Sequence, residues 1–431
     1  MSIGQGRHPG GHSSQDKKKD HGAGRHNTGG RCDRAKKHNS DREYKRGSTV
    51  SAHAGILPDC RSGVMKSPQL GLARRPLKKK EWGMRVAITG ATGLIGSHCT
   101  AQALAAGHDV RMVVRNPAKA ADSLVLHGLS PNDAEVYEAD LDDHDRLAAS
   151  LDDIECLIHA GAVFSLDPRQ ASNMRSVNPR STRVLLDEAA RRDLFRVIHV
   201  SSMGVYAADR TNVTPDSPTG PECGAYTGSK ISADTAAVTH QEAGRPVVVV
   251  CPGGVLGPLD PSPELSDSMA MMRDWVRMRT VALPRSLRIG FVDARDVAAV
   301  CVGALDTGPA PARHLLAGHL STMAEVLATT AELTGRRVRV LGSPAWPLLA
   351  MGAVCDLVAR TTGNKMPLTA ETARLTVGNA RAGGLRSVDQ SSAADAFGFP
   401  SITLRQTLTD TIRWMHDAGH LDSQTAGVLA G

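Results

Sequence analysis

The chain has 431 residues, 41% of them hydrophobic and 22% charged, with a formal net charge of +7. That length suits two or three average domains, or one α/β enzyme with lobes. The first 83 residues carry 19 Lys and Arg against 7 Asp and Glu, and the remainder 32 against 37, so the basic excess belongs to the amino-terminal segment and the rest is mildly acidic. Four Tyr, four Trp and five Phe are too few for an aromatic platform that stacks single-stranded nucleic acid. The eight cysteines include no Cys-x-x-Cys pair, which argues against a zinc site or a disulfide framework and fits reduced thiols in a cytoplasmic protein.

Residues 1–83 are rich in Gly, His, Ser and Lys and show no sustained helix or strand period. Such a segment cannot bury enough apolar surface to offset its ordering entropy, and disorder is expected. Runs such as Lys17-Lys18-Lys19 and Lys78-Lys79-Lys80 suit nucleic acid or anionic lipid. A solvated arm or an over-long reading frame is the preferred reading, since Met84 directly precedes the first expected strand. No apolar run of the secretory kind follows the amino terminus.

From residue 84 the pattern alternates. A strand over 85–89 runs into Thr89-Gly90-Ala91-Thr92-Gly93-Leu94-Ile95-Gly96, and a helix over 97–106 ends at Gly107. Strands follow over 110–114, 134–138 and 156–159, with a helix after Pro117. A helix over 179–192 leads to a strand over 195–200, and a helix over 226–243 to the β-branched run 247–250, which reads as a strand buried on both faces. Alternation of this kind predicts an α/β fold with a Rossmann-type, doubly wound parallel sheet. The expected division is a dinucleotide-binding core over 84–251 and a smaller substrate lobe over 252–431, with some return to the core. The apolar run 346–358, interrupted by Asp356, is too short to span a membrane and reads as a buried helix, with a shallow interfacial contact as the second reading.

Each glycine of the loop has a stated use: Gly90 for the tight turn, Gly93 for approach to a pyrophosphate, Gly96 for close packing of helix on sheet. The phosphate charge would then lie at the partly positive helix start. Downstream, Ser201-Ser202 follow the fifth strand, and Tyr226 and Lys230 share a helix face at i and i+4. A lysine cation near a phenol lowers its pKa, which suits proton exchange near neutral pH. A serine hydroxyl at a strand's carboxyl end can hold a substrate oxygen beside that phenol.

Together these features resemble the extended short-chain dehydrogenase/reductase family. The match takes in the Thr-Gly-x-x-Gly-x-x-Gly loop, Ser202, Tyr226 with Lys230, the turn at Pro252, Gly257 and Pro258, and the run from Phe291 to Val297. The resemblance implies Tyr226 as general acid/base, Lys230 as the residue that lowers its pKa and holds the nicotinamide ribose, and Ser202 as the residue that orients the carbonyl. It implies Asn178 as part of a proton relay, although Asn178-Pro179 also reads as a helix cap with proline at the first position. It assigns cofactor contacts to Thr92, Leu94 and Ile95 in the loop, to Asp140 and Leu141 after the third strand, to Ala160 after the fourth, and to Pro252, Gly253 and Val255 after the sixth. A homodimer through a four-helix interface is a further expectation of the family.

At the end of the second strand an acid would bind a ribose 2′-hydroxyl, but Arg115 stands there with Lys119 close behind, which favours NADP over NAD. The turn Cys251-Pro252-Gly253-Gly254, the run from Val113 to Pro117 and Phe397-Gly398-Phe399-Pro400 look more like the dihydroflavonol-reductase and 3β-hydroxysteroid-dehydrogenase-like members. Cys251 departs from the arginine common at its position. The expected activity is interconversion of a hydroxyl and a carbonyl on a small apolar or cyclic molecule. A nucleotide-sugar epimerase or dehydratase with tightly held NAD is the second reading, and a cofactor sensor without turnover the third. Phe164, Met203 and a lid over 256–288 are the expected substrate contacts.

Overall fold

A computed structural model describes residues 83–431 apart from 309, 311, 365 and 367, so the basic segment and its expected disorder lie outside the described residues. In chain order the elements are β1 (Arg85–Thr89), α1 (Leu94–Ala105), β2 (Asp109–Val114), α2 (Pro117–Leu126), β3 (Glu135–Glu138), α3 (His144–Ala149), β4 (Cys156–His159), α4 (Ala171–Arg191) and β5 (Arg196–Val200). They continue as β6 (Asn212–Val213), α5 (Ala225–Glu242), β7 (Val247–Pro252), β8 (Gly254–Leu256), α6 (Asp267–Arg277), β9 (Thr280–Leu283), β10 (Arg288–Asp293) and α7 (Ala294–Gly303). The last are β11 (Ala312–Leu316), β12 (His319–Thr322), α8 (Met323–Thr334), β13 (Arg339–Gly342), α9 (Pro347–Thr362), α10 (Ala370–Arg381), β14 (Ser387–Val388), α11 (Ser391–Phe397), α12 (Leu404–Asp417) and α13 (Ser423–Ala426).

Seven parallel strands form the main sheet in the order β11-β7-β5-β4-β1-β2-β3. The chain winds outward from β1 to β3, then returns to β4 and winds the other way. Loops after β1 and β4 therefore part at their carboxyl ends and leave a crevice, where such sheets bind ligands. Strand alternation divides the core. Val86, Ile88, Ile158 and Val250 pack on the face covered by α1 and α7, while Ala87, Leu157, Val197 and Val249 meet Leu185 and Ala189 of α4 and Ala237 of α5. A third cluster, with Met269, Met272, Leu408 and Ile412, forms a lobe from α6, α8 and α12.

Three sequence expectations differ from the structure. The fourth helix begins at Ala171 and runs through Pro179. Met174, Val177, Ser181, Leu185 and Ala189 are all buried along it. Burying that face outweighs the roughly 3 kcal/mol that an internal proline costs. β11 joins the sheet beside β7 although no strand was read there. Finally, α9 is not a buried helix. Leu348, Gly352, Cys355 and Ala359 face inward, but Met351, Val354 and Leu357 are exposed, because α9 packs mainly on α10 and the short turn at 168–170, which cover one side of it.

Candidate active site

The glycine loop is shaped by its backbone. Gly90 sits at φ +68°, and a Cβ there would meet Gly161 Cα and N at 2.7 Å, so the turn off β1 and the end of β4 touch where only glycine fits. At Gly96 a Cβ would run into the Gly90 carbonyl oxygen, which is the close approach of helix to loop. Gly93, at the amino-terminal end of α1, has only that carbonyl near its own Cβ position, at 3.3 Å. The loop therefore keeps an open side before a helix start, and the residues fit a dinucleotide's phosphates. Leu94 is buried in the lobe cluster and Ile95 packs on the sheet core, so these two offer backbone rather than side chain. Thr92 is half-buried in the same loop.

At the neighbouring strand ends, Arg115 is 78% exposed and its Nε lies 3.9 Å from Asp140 Oδ2, a loose pair across β2 and β3. Lys119 is exposed on the first turn of α2, which Asn116 caps by accepting the Ala118 N–H. Leu141 Cδ2 reaches within 3.2 Å of the Gly161 Cβ position, and Ala160 packs against the core beside it. Val255 is in β8, paired with Val292 of β10.

The other end of the site is a cavity of about 330 Å³. Ser202, Tyr226, Pro252 and Gly253 line it together with apolar Phe164, Met203, Leu287, Ile289, Leu375 and Leu385. Ser202 leaves β5, and its Oγ accepts the Gly204 N–H at 3.0 Å. Tyr226 stands in the first turn of α5, its ring edge-on to Phe164 with centroids 4.7 Å apart. The expected lid is only partly right. Leu287 and Arg288 reach the cavity, but α6 is turned into the lobe core, and α10 with Thr372, Leu375, Thr376 and Asn379 supplies the wall instead.

Lys230 is buried one turn after Tyr226, and its Nζ donates to the Val200 carbonyl at 3.0 Å. Burial pulls its pKa down to about 8, opposed by Asp234 and Cys251. The phenol of Tyr226 is pushed above its usual value by burial, with a Ser202 hydrogen bond acting the other way and Glu371 adding to the rise. Lys230 is not among the groups that move the phenol in the protein alone. Its cation is turned toward a strand carbonyl.

Asn178 does not cap a helix. Its Oδ1 accepts the Val163 N–H at 2.7 Å, and its Nδ2 donates to the Val163 carbonyl at 2.9 Å and to Ser229 Oγ at 3.0 Å. Ser229 in turn donates to the Tyr226 carbonyl at 2.8 Å. Asn178 thereby ties the loop after β4 to the helix that carries the tyrosine. Cys251 is buried, with Arg313 of the adjacent strand 3.4 Å from its Sγ; the same arginine pairs with Asp234 at 2.8 Å, and Asp234 accepts the Ser201 hydroxyl at 2.6 Å.

One participant was missed in the sequence. Glu371, from α10, accepts the backbone N–H groups of Tyr226 and Thr227 at 3.1 and 2.7 Å, so the lobe caps the helix that bears the tyrosine. No local pattern links residues 226 and 371, and only the folded lobe brings them together.

Such a sheet with a glycine loop after its first strand is of the Rossmann type of α/β fold. The profile of the NAD dependent epimerase/dehydratase family matches residues 86–317, and the chain belongs to that family, the extended short-chain dehydrogenases/reductases. It is 28% identical to sterol demethylase protein B of Methylococcus capsulatus over 78% of this chain and 99% of that one. It is 25% identical to a putative dihydroflavonol 4-reductase of Synechocystis over 78% and 96%. Its fold resembles UDP-glucuronic acid 4-epimerase from Bacillus cereus, solved with UDP-glucuronic acid and NAD, at TM-score 0.59, 18% identity and coverage of 78% and 99%.

Proposed function

We propose that the protein is an NAD(P)-dependent oxidoreductase that interconverts a secondary alcohol and a ketone, or an alcohol and an aldehyde, on a small apolar or cyclic substrate in the cytoplasm. The observation that carries this reading is the cavity. Its walls are mainly apolar, and the Ser202 and Tyr226 side chains line it too. A pocket of this kind takes a hydrophobic body and fixes one oxygen. The sterol and flavonoid words in the relatives' names agree with that shape.

Gly90, Gly93 and Gly96 with Thr92 and the start of α1 would hold the cofactor's phosphates, with Asp140, Leu141 and Ala160 beside the adenosine half and Lys230, Pro252, Gly253 and Val255 toward the nicotinamide. Bound NAD(P)H supplies a hydride to the carbonyl carbon. Ser202 donates to the carbonyl oxygen and Tyr226 Oη protonates it, which gives the alcohol and leaves the phenolate beside Lys230. Asn178, through Ser229, keeps the first turn of α5 in place and stands at the start of the proton's route back. Arg115 and Lys119 would favour NADPH by meeting a 2′-phosphate.

The test is NADPH oxidation by the full chain with ketosteroids, flavonoid-like ketones, aldehydes and nucleotide sugars. Turnover of an apolar carbonyl compound is expected, and Tyr226→Phe should lower kcat by roughly 100-fold or more while NADPH still binds. Unchanged turnover in that variant would rule out the mechanism. Turnover of nucleotide sugars alone would favour the epimerase or dehydratase reading.

A further inference from the structure

α9 presents an apolar stripe to solvent. Trp346 is 67% exposed just before its first turn, and Met351, Val354 and Leu357 are 49%, 59% and 63% exposed along it. On a helix these positions fall on one side. Scattered exposed apolar residues need no explanation, but a continuous stripe of this kind marks a contact surface.

The charge around the stripe says what it contacts. Residues 336–386 hold eight Lys and Arg against two Asp and Glu, in a body from residue 84 onward where acids outnumber bases. Arg285 and Arg381 line a cleft with Ser343, Pro344 and Ala345, immediately before Trp346. Arg360 lies in the last turn of α9. All three are exposed and make no ion pair among the described residues. A helix with tryptophan and aliphatic side chains on one face and unpaired arginines around it suits the headgroup boundary of an anionic bilayer. A second copy of this chain suits it poorly. In a two-fold contact through the stripe, arginines lie at both ends and would meet arginines. No helix among the described residues is long and apolar enough to cross a membrane, so α9 would lie on the surface.

We propose that α9 is a membrane-docking face: Trp346, Met351, Val354 and Leu357 enter the acyl boundary of an anionic lipid bilayer, and Arg285, Arg360 and Arg381 meet the headgroup phosphates. The placement has a purpose. α10 lines the substrate cavity with Thr372, Leu375, Thr376 and Asn379, and packs on α9 through Ala373, while Val377 joins the same small core. A docked α9 therefore holds the cavity one helix away from the lipid, the source of an apolar substrate if the activity proposed above is right. The docking argument itself rests on the surface alone.

The test uses the full chain and needs no substrate, so its failure leaves the proposed activity standing. Flotation with phosphatidylglycerol/phosphatidylcholine vesicles is compared with phosphatidylcholine alone. The protein should float with the anionic vesicles. Val354→Asp with Leu357→Asp should weaken partitioning at least tenfold without changing the thermal melt, since both positions are exposed, and Arg285→Gln, Arg360→Gln and Arg381→Gln together should weaken it several-fold. Brominated lipid should quench tryptophan fluorescence in the wild type and not in Trp346→Phe. Equal flotation of the double aspartate variant would overturn the proposal by placing binding in the lysine-rich amino-terminal segment. So would quenching that survives Trp346→Phe, or a dimer that the aspartates dissociate in a protein without vesicle affinity.

Discussion

Arg115 carries the cofactor question at the scale of one residue. Its guanidinium is exposed at the end of β2, with Asp140 as a loose neighbour at 3.9 Å. An exposed pair at this distance is worth little to stability, so the arginine remains available to a phosphate. Replacing Arg115 by Ala should raise KM for NADPH roughly 10- to 100-fold, the worth of a charge-assisted contact, and leave KM for NADH nearly unchanged. Steady-state kinetics with both cofactors check this, and equal losses would remove the arginine from the argument. The candidate residues Ser202 and Tyr226 could be singled out because each sits next to a strand end or helix start that the sequence marks. The capping reading of Asn178 failed for the same reason: asparagine before proline looks like a helix start, and only the fold shows that α4 begins eight residues before Pro179.

The elements of the nucleotide-binding half were legible almost strand by strand, since their apolar runs are short, β-branched and bounded by glycines. Legibility faded after β7, where β11 follows a proline-rich stretch of sequence and composition could not orient the apolar run of α9. That is also where Glu371 comes from, and it ties two distant elements together. Its carboxylate takes up two N–H groups that the first turn of α5 would leave without helix partners. Glu371→Ala should lower stability by about 1–2 kcal/mol and reduce kcat more than it raises KM, because the phenol loses its fixed station. Glu371→Gln, which keeps one acceptor oxygen, should recover part of both. Thermal melts and steady-state kinetics on the pair separate positioning from simple loss of folding, since a purely structural role would leave kcat of the folded fraction intact.

For the whole molecule, the inner strands of the parallel sheet are buried on both faces, and they enclose histidines held neutral. His199 of β5 is buried with neither ring nitrogen hydrogen-bonded among the described residues, and burial, with the Lys230 and Arg313 charges, pulls its pKa down to about 3. His159, 5.5 Å away by ring centroids, is depressed in the same way and is held between the Thr89 and Thr182 hydroxyls. Between about pH 6.5 and 3 the unfolded chain binds protons that the folded one refuses, so stability rises with pH across that window and is lost as pH falls. Melting temperature should fall steeply below pH 6. His199→Leu should flatten that fall without altering the plateau above pH 7 by as much. A variant with the wild-type acid slope would show that the histidine is not responsible.

Glu371 also fixes an order of events in synthesis. The carboxylate that steadies Tyr226 lies 145 residues further along the chain. A ribosome has therefore delivered the glycine loop and all seven strands of the main sheet before Glu371 can take up the Tyr226 and Thr227 N–H groups. On the mechanism proposed above, the nucleotide-binding half would precede its proton donor's support in the order of synthesis. On that mechanism, Tyr226 would be a fully positioned proton donor only once α10 has arrived.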